Sequence, residues 1–242
     1  MRFVKAFSSA ALVLIAEGAR ADGPVALAPF AEPSGKVSSK WTAFSFAKIK
    51  VATRYEILRD ATKGAVLHAV AESSASALRH SVDRPVEAND TLKWSWKVSE
   101  IPAGSSAKQK ETDDFAARIY VTFAYDPAKA NTLTRAEFGL AKSIYGDYPP
   151  MSALSYIVEP NLAIGTIVDN PFTSRVKMIV VDNGKSVGQW QSFERNLLED
   201  YKRAFGAPPT TAMSGIVVMS DSDNTQSRAD AWYGDISFGV AK

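Results

Sequence analysis

Two short acidic stretches carry the residues best suited to chemistry. In the first, ETDDFAAR, Asp113 and Asp114 stand just ahead of Arg118. An acidic pair entering a strand can hold a cation or sugar hydroxyls, and a guanidinium can fork onto a carboxylate. The same three residues would also serve as an Arg–Asp pair that closes a loop. In the second, DSDN, Asp221, Asp223 and Asn224 follow an apolar run. Oxygen-rich side chains of this kind suit calcium, which takes roughly six to eight oxygens. As an EF-hand loop the run fails, with Gln226 where glycine is needed and Trp232 where glutamate belongs. An Asx-turn is the other reading. Calcium would be held by Asp221, Asp223 and Asp235. We expect the two stretches to meet at one end of the fold. Carboxylates that close need a neutralising cation, either Arg118 or calcium.

Aromatic residues form a second set. Tyr145, Tyr148, Trp190 and Trp232 lie near loops, where binding residues concentrate, and each could stack on a sugar ring. Trp94 and Trp96 share a period-two face with Leu92 and Val98, so they are expected in the core. His68 and His80 are the only histidines, and no HxH or HExxH spacing joins them to a zinc site. GxSxG, GxGxxG and Walker sequences are absent. With no cysteine, the chain has no disulfides, thiolate metal sites or cysteine nucleophiles.

These residues must be positioned by strands. Alternation is clear over residues 54–59, 65–72, 92–98 and 115–123, with further runs at 153–159, 175–182, 215–220 and 231–238. Along 115–123, Phe115, Ala117, Ile119, Val121 and Phe123 are expected to share one apolar face. Many short strands separated by Gly, Pro, Asn and Asp predict an all-β antiparallel sandwich of jelly-roll type. One helix is predicted near 195–205, from Leu197, Leu198, Tyr201, Ala204 and Phe205. Ser192 is its N-cap candidate, and Gly206 with Pro208-Pro209 forms the stop.

The N-terminus reads as a signal peptide. Arg2 and Lys5 precede an apolar run too short to span a bilayer, and Ala19-Arg20-Ala21 is a small-x-small cleavage site. Residues 1–21 are the expected signal, 22–40 a flexible leader and 41–242 a single domain. Cleavage removes three basic residues and one acid from a total of 28 Lys+Arg and 26 Asp+Glu, so the mature chain is balanced. Nothing in that balance points to nucleic acid or to an anionic membrane surface. A periplasmic or secreted bacterial monomer is expected.

The segments LKWSWKV, DDFAARIYVTF, NPFTSRVKMIVV, NLLEDYKRAFG and GIVVMSDSDNTQSRADAWYGDISF, taken in order, resemble the domain-of-unknown-function family 3047 of secreted bacterial proteins. The resemblance runs from about Trp41 to Phe238. It implies a jelly-roll sandwich akin to carbohydrate-recognising domains and brings no established activity. At Val158 the chain departs from the family pattern, where tryptophan is frequent. Three functions follow as expectations: glycan binding, a polysaccharide hydrolase or lyase using paired carboxylates, or a structural role in the envelope.

Overall fold

Side-chain alternation decides the architecture. The computed structural model describes residues 25–46, 48–145 and 148–240. The expected signal peptide and its cleavage site lie outside the described residues. In β6 (Asp90–Val98), Leu92, Trp94, Trp96 and Val98 are all buried, while Lys93 is exposed and Lys97 half-buried. In β7 (Arg118–Phe123), Ile119, Val121 and Phe123 join the same core, as does Ala117 just before it. Phe115 does not. It packs with Ala107, Ile157, Met178 and Val180 in a separate cluster. A strand with one apolar face must hide it against another layer, and two stacked sheets are the result.

The first sheet runs in the order β1 (Val25–Ala26), β14 (Ser237–Val240), β6, β13 (Arg228–Tyr233), β4 (Gly64–Glu72) and β3 (Arg54–Asp60). The strand β11 (Gln191–Asn196) pairs with the other edge of β6. The second sheet runs β2 (Trp41–Phe44), β5 (Ala75–Arg84), β12 (Met213–Asp221), β7, β8 (Ser152–Val158), β10 (Thr173–Asp182) and β9 (Ile167–Asn170). Successive strands pass from one sheet to the other, β4 to β5, β6 to β7 and β11 to β12 to β13. This is a β-sandwich of jelly-roll type. One pair departs from the antiparallel expectation: β8 and β10 are parallel, because the short β9 turns the chain round before β10 returns.

Residues 231–238 were expected as one strand and form parts of two. β13 and β14 share one edge of β6, with Gly234 between them. A Cβ at Gly234 would sit 2.5 Å from Ser95 Oγ. The chain can approach β6 there only as glycine.

Among the described residues, two α-helices complete the fold. α2 (Leu197–Phe205) ends at Gly206 in the left-handed region, φ 79°, as the stop signal predicts. Its N-cap is Asn196, whose side chain accepts the Glu199 N–H, and not Ser192, which lies in β11 opposite Ser95. Asp200 ties the two sheets together, accepting from Tyr156 Oη at 2.9 Å and from Arg195 Nε at 2.8 Å. The second helix, α1 (Thr132–Tyr145), was not foreseen. Leu133 and Leu140 on it are 83% and 64% exposed, and among its described side chains only Phe138, buried against Tyr125, and Thr134 one turn earlier face inward, so its leucines give no apolar stripe to read. The Asn131 side chain caps the helix, accepting the Thr134 N–H at 2.8 Å.

The leader expected over 22–40 is packed from residue 25 on. Val25 and Ala26 pair with Phe238 and Ser237, and Leu27 and Phe30 are buried. His80 Nε2 accepts the Ala28 N–H at 3.2 Å, which fixes this imidazole in a structural role. Among the described residues no helix is long and apolar enough to cross a membrane.

Candidate functional site

The two acidic stretches do meet. Arg118 opens β7 and Asp221 closes β12, neighbouring strands of the second sheet. The Arg118 guanidinium bonds the Asp221 carboxylate directly, reaches Asp113 Oδ2 at 3.4 Å and donates to the Asp113 carbonyl at 3.2 Å. Phe115 N–H donates to Asp221 Oδ1 at 3.3 Å, and Asn170 donates to Asp113 Oδ2 at 3.1 Å. Asp114 receives the second turn: Asn224 N–H reaches its Oδ1 at 3.2 Å, and Thr225 N–H and Oγ1 reach its Oδ2, each at 2.6 Å. Asn224 Nδ2 donates to the Lys110 carbonyl at 2.8 Å. Asp113, Asp114, Arg118 and Asp221 are all buried.

This geometry is that of a clasp. Asp114, Asp221 and Asp223 bring ligand atoms within 4.8 Å of one another. Both oxygens of Asp114 and both of Asp221 already accept donors from the protein, however, and Arg118 supplies the positive charge they face. Asp235, expected as a third calcium ligand, is not part of the group. Its Oδ1 accepts the Phe30 N–H at 2.9 Å and anchors the N-terminal segment.

One consequence of the clasp shows in its titration. Burial pushes the Asp113 carboxyl up, against the pull of Arg118 and Asn170. Burial and the Asp114 charge push Asp223 up. A carboxyl whose folded pKa is raised adds stability that is complete below the ordinary carboxylate range and is lost as pH rises through the raised value. Asp223→Asn should therefore leave the protein no less stable at neutral pH. It should also flatten the acid side of the stability profile, read as urea midpoints between pH 3 and 7. A variant clearly weaker at pH 7 would refute this.

A different set of side chains faces outward on the first sheet. Glu56 on β3, His68 on β4, Trp232 on β13 and Lys97 on β6 lie in one row across adjacent strands. The His68 and Trp232 rings stack 4.7 Å apart at 12°. His68 lies between two carboxylates, with Nδ1 3.2 Å from Glu56 and Nε2 3.6 Å from Asp230. Lys97 Nζ sits 4.6 Å from the Trp232 ring centre and 5.3 Å from that of Trp190. Trp190 arrives from the loop before β11. Its Nε1–H donates to Asp60 Oδ2 at 3.1 Å, and the same oxygen receives Lys97 at 3.3 Å. Asp60 closes the β3–β4 turn through its other oxygen, which accepts from Thr62 and Lys63. The Thr62 hydroxyl and backbone N–H, with Trp190, hold the Asp60 carboxyl well below the usual carboxylate range, so it stays ionised. Both tryptophans are half-buried.

Beside this pair lies an open trough of about 390 Å³. Lys63, Lys93, Ser95, Ser192, Asp235 and Ser237 line it. Lys63 joins it to the aromatic pair, its Nζ 5.6 Å from the Trp190 ring centre. Of the other aromatic candidates, Tyr148 lies elsewhere, against Tyr125 and under Lys142 near α1. Tyr145 ends α1, and its side chain lies outside the described residues. Trp94 and Trp96 are in the core, against Tyr156 and Phe193. Lys97, Asp60 and Lys63 were missed in the sequence. The outward parity of Lys97 within LKWSWKV was the signal available for it.

The fold and site define a two-sheet β-sandwich with an aromatic and polar outer face. The chain belongs to the family described as a protein of unknown function (DUF3047), whose model matches residues 39–237. None of the curated proteins matches it. Among solved structures it is similar to the family 11 carbohydrate-binding module of cellulosomal cellulase Lic26A-Cel5E of Clostridium thermocellum. Identity there is 11% and TM-score 0.43, over 92% of this chain and 97% of that one. It is also similar to the family 30 carbohydrate-binding module of cellulosomal cellulase Cel9D-Cel44B of the same organism, at 11% identity and TM-score 0.38, over 91% and 95%. An exo-β-agarase gives 11% identity and TM-score 0.43, over 90% of this chain and 25% of that one.

Proposed function

We propose that the protein binds glycan on the outer face of its first sheet. The observation that carries this is the pair Trp190 and Trp232. Two half-buried indoles from separate elements are held by one ammonium, next to a hydroxyl-lined trough. Sugar rings present a C–H face to an aromatic ring and hydroxyls to side chains that accept and donate, so a site for them combines both. Asp60 fixes the Trp190 ring before any ligand arrives, which lowers the ordering cost of binding. The acidic clasp supports this reading by contrast, since its buried carboxylates are engaged with one another's turns and with Arg118. A secreted location, resting on the N-terminal pattern, belongs to the same proposal.

The test is retardation in native gels containing soluble polysaccharides, with tryptophan fluorescence as a second readout. Trp190→Ala should weaken binding about tenfold or more, as loss of an aromatic anchor does. Its thermal midpoint should stay near that of the wild type, because the residue lies in a loop. Equal retardation of wild type and both Trp190→Ala and Trp232→Ala would overturn the assignment.

A further inference from the structure

We infer that the outer-face site takes an uncharged polyhydroxylated glycan and not an acidic or sulfated one; the inference rests on the glycan-binding reading above. It follows from how the charges on this face are already used. Lys97 is paired with Asp60 at 3.3 Å, and Lys93 with Glu194 at 3.0 Å. The imidazole of His68 lies between Glu56 and Asp230, and Arg228 bonds both Glu72 and Asp230. A uronate or sulfate seated on Trp190 could take Lys97 only by drawing it away from Asp60. Asp60 is held ionised by the turn it closes, so that exchange would leave its charge without the ammonium.

Two groups at the trough remain for a ligand. The Lys63 ammonium makes no ion pair among the described residues and stands beside Trp190. Asp235 is exposed, with one oxygen accepting the Phe30 N–H. One offers donors and the other an acceptor, of opposite charge, in the same cavity. Neighbouring hydroxyls of a sugar match that pair, since each hydroxyl both donates and accepts. A carboxylate or sulfate matches only Lys63 and is repelled by Asp235. Three serines, Ser95, Ser192 and Ser237, add neutral hydroxyls to the same trough.

Affinity electrophoresis of the full chain separates the possibilities. The gels would contain hydroxyethyl cellulose, xylan, polygalacturonate or dextran sulfate, at about 50 mM and about 500 mM salt, a range that spans weak to strong screening. We expect a neutral polysaccharide to retard the protein equally at both salt levels. Asp235→Asn and Lys63→Gln should each weaken that retardation about threefold to tenfold, the size of one ordinary hydrogen bond, since each variant keeps a polar group in place. Retardation only by polygalacturonate or dextran sulfate, lost at high salt and on Lys63→Gln, would overturn the inference while leaving the tryptophan site in place. Neutral retardation indifferent to both variants would overturn the assigned roles of Lys63 and Asp235. Retardation by no polysaccharide, or retardation unchanged by Trp190→Ala, would remove the glycan reading and this inference with it.

Discussion

Asp221→Asn should destabilise the protein by about 3–5 kcal/mol, the cost of breaking a buried ion pair from one side. Arg118 is buried, and Asp221 is the carboxylate it bonds most closely. An amide there would leave the guanidinium facing Asp113, whose own carboxyl burial pushes toward the neutral form. The amide keeps one acceptor oxygen, so either Arg118 or the Phe115 N–H at the entry to β7 is left facing an NH2 group. The double variant Arg118→Met with Asp221→Leu removes both charges and should recover much of the stability, since an apolar replacement of a buried pair is often neutral or better. Urea unfolding of the three proteins decides it. A single variant within about 1 kcal/mol of wild type would show that the clasp contributes little.

Trp96→Ala should cost about 3–5 kcal/mol, as large aromatic truncations in a core do. Trp96 is fully buried, packs on Trp94 and Phe193, and donates Nε1–H to Asp182 Oδ2 at 3.0 Å. Its removal opens a cavity between the sheets and strips a buried carboxylate of a donor. Trp96→Phe keeps most of the volume and loses only the hydrogen bond, so it should cost clearly less. Denaturation midpoints for the two variants would separate packing from the bond. Equal losses would mean that the Asp182 contact dominates.

The core was legible because period-two alternation writes it into each strand separately. Trp94 and Trp96 follow from Leu92 and Val98 alone. The ends of α2 were legible for a similar reason, as Gly206 and the proline pair act locally. Longer-range features were not. The parallel pairing of β8 with β10 depends on how β9 turns, and nothing in either strand encodes its partner's direction. The clasp was partly legible: DDFAAR and DSDN each announce a strand end, and their meeting follows once both ends fall on one side of the sandwich. The outer-face site was hardest, since Trp232, Lys97, Trp190 and Asp60 come from four places. Trp190 was singled out by its loop position, while Lys97 and Asp60 gain meaning only through register. Phe115 shows the limit of alternation, because the face it keeps in sequence is abandoned just before β7 begins.

The pairing of β1 with β14 has a consequence for how the chain comes into being. The first described strand finds its partner near the opposite terminus, and Phe30 N–H waits for Asp235. Val25 and Phe238 stand 213 positions apart (238 − 25), and closure over such a separation slows folding. During synthesis Ala28 can already meet His80 on β5, while Val25, Ala26 and the Phe30 N–H wait for β14 and Asp235. The edge of the first sheet formed by β1 and β14 therefore closes late, after the strands between them are in place.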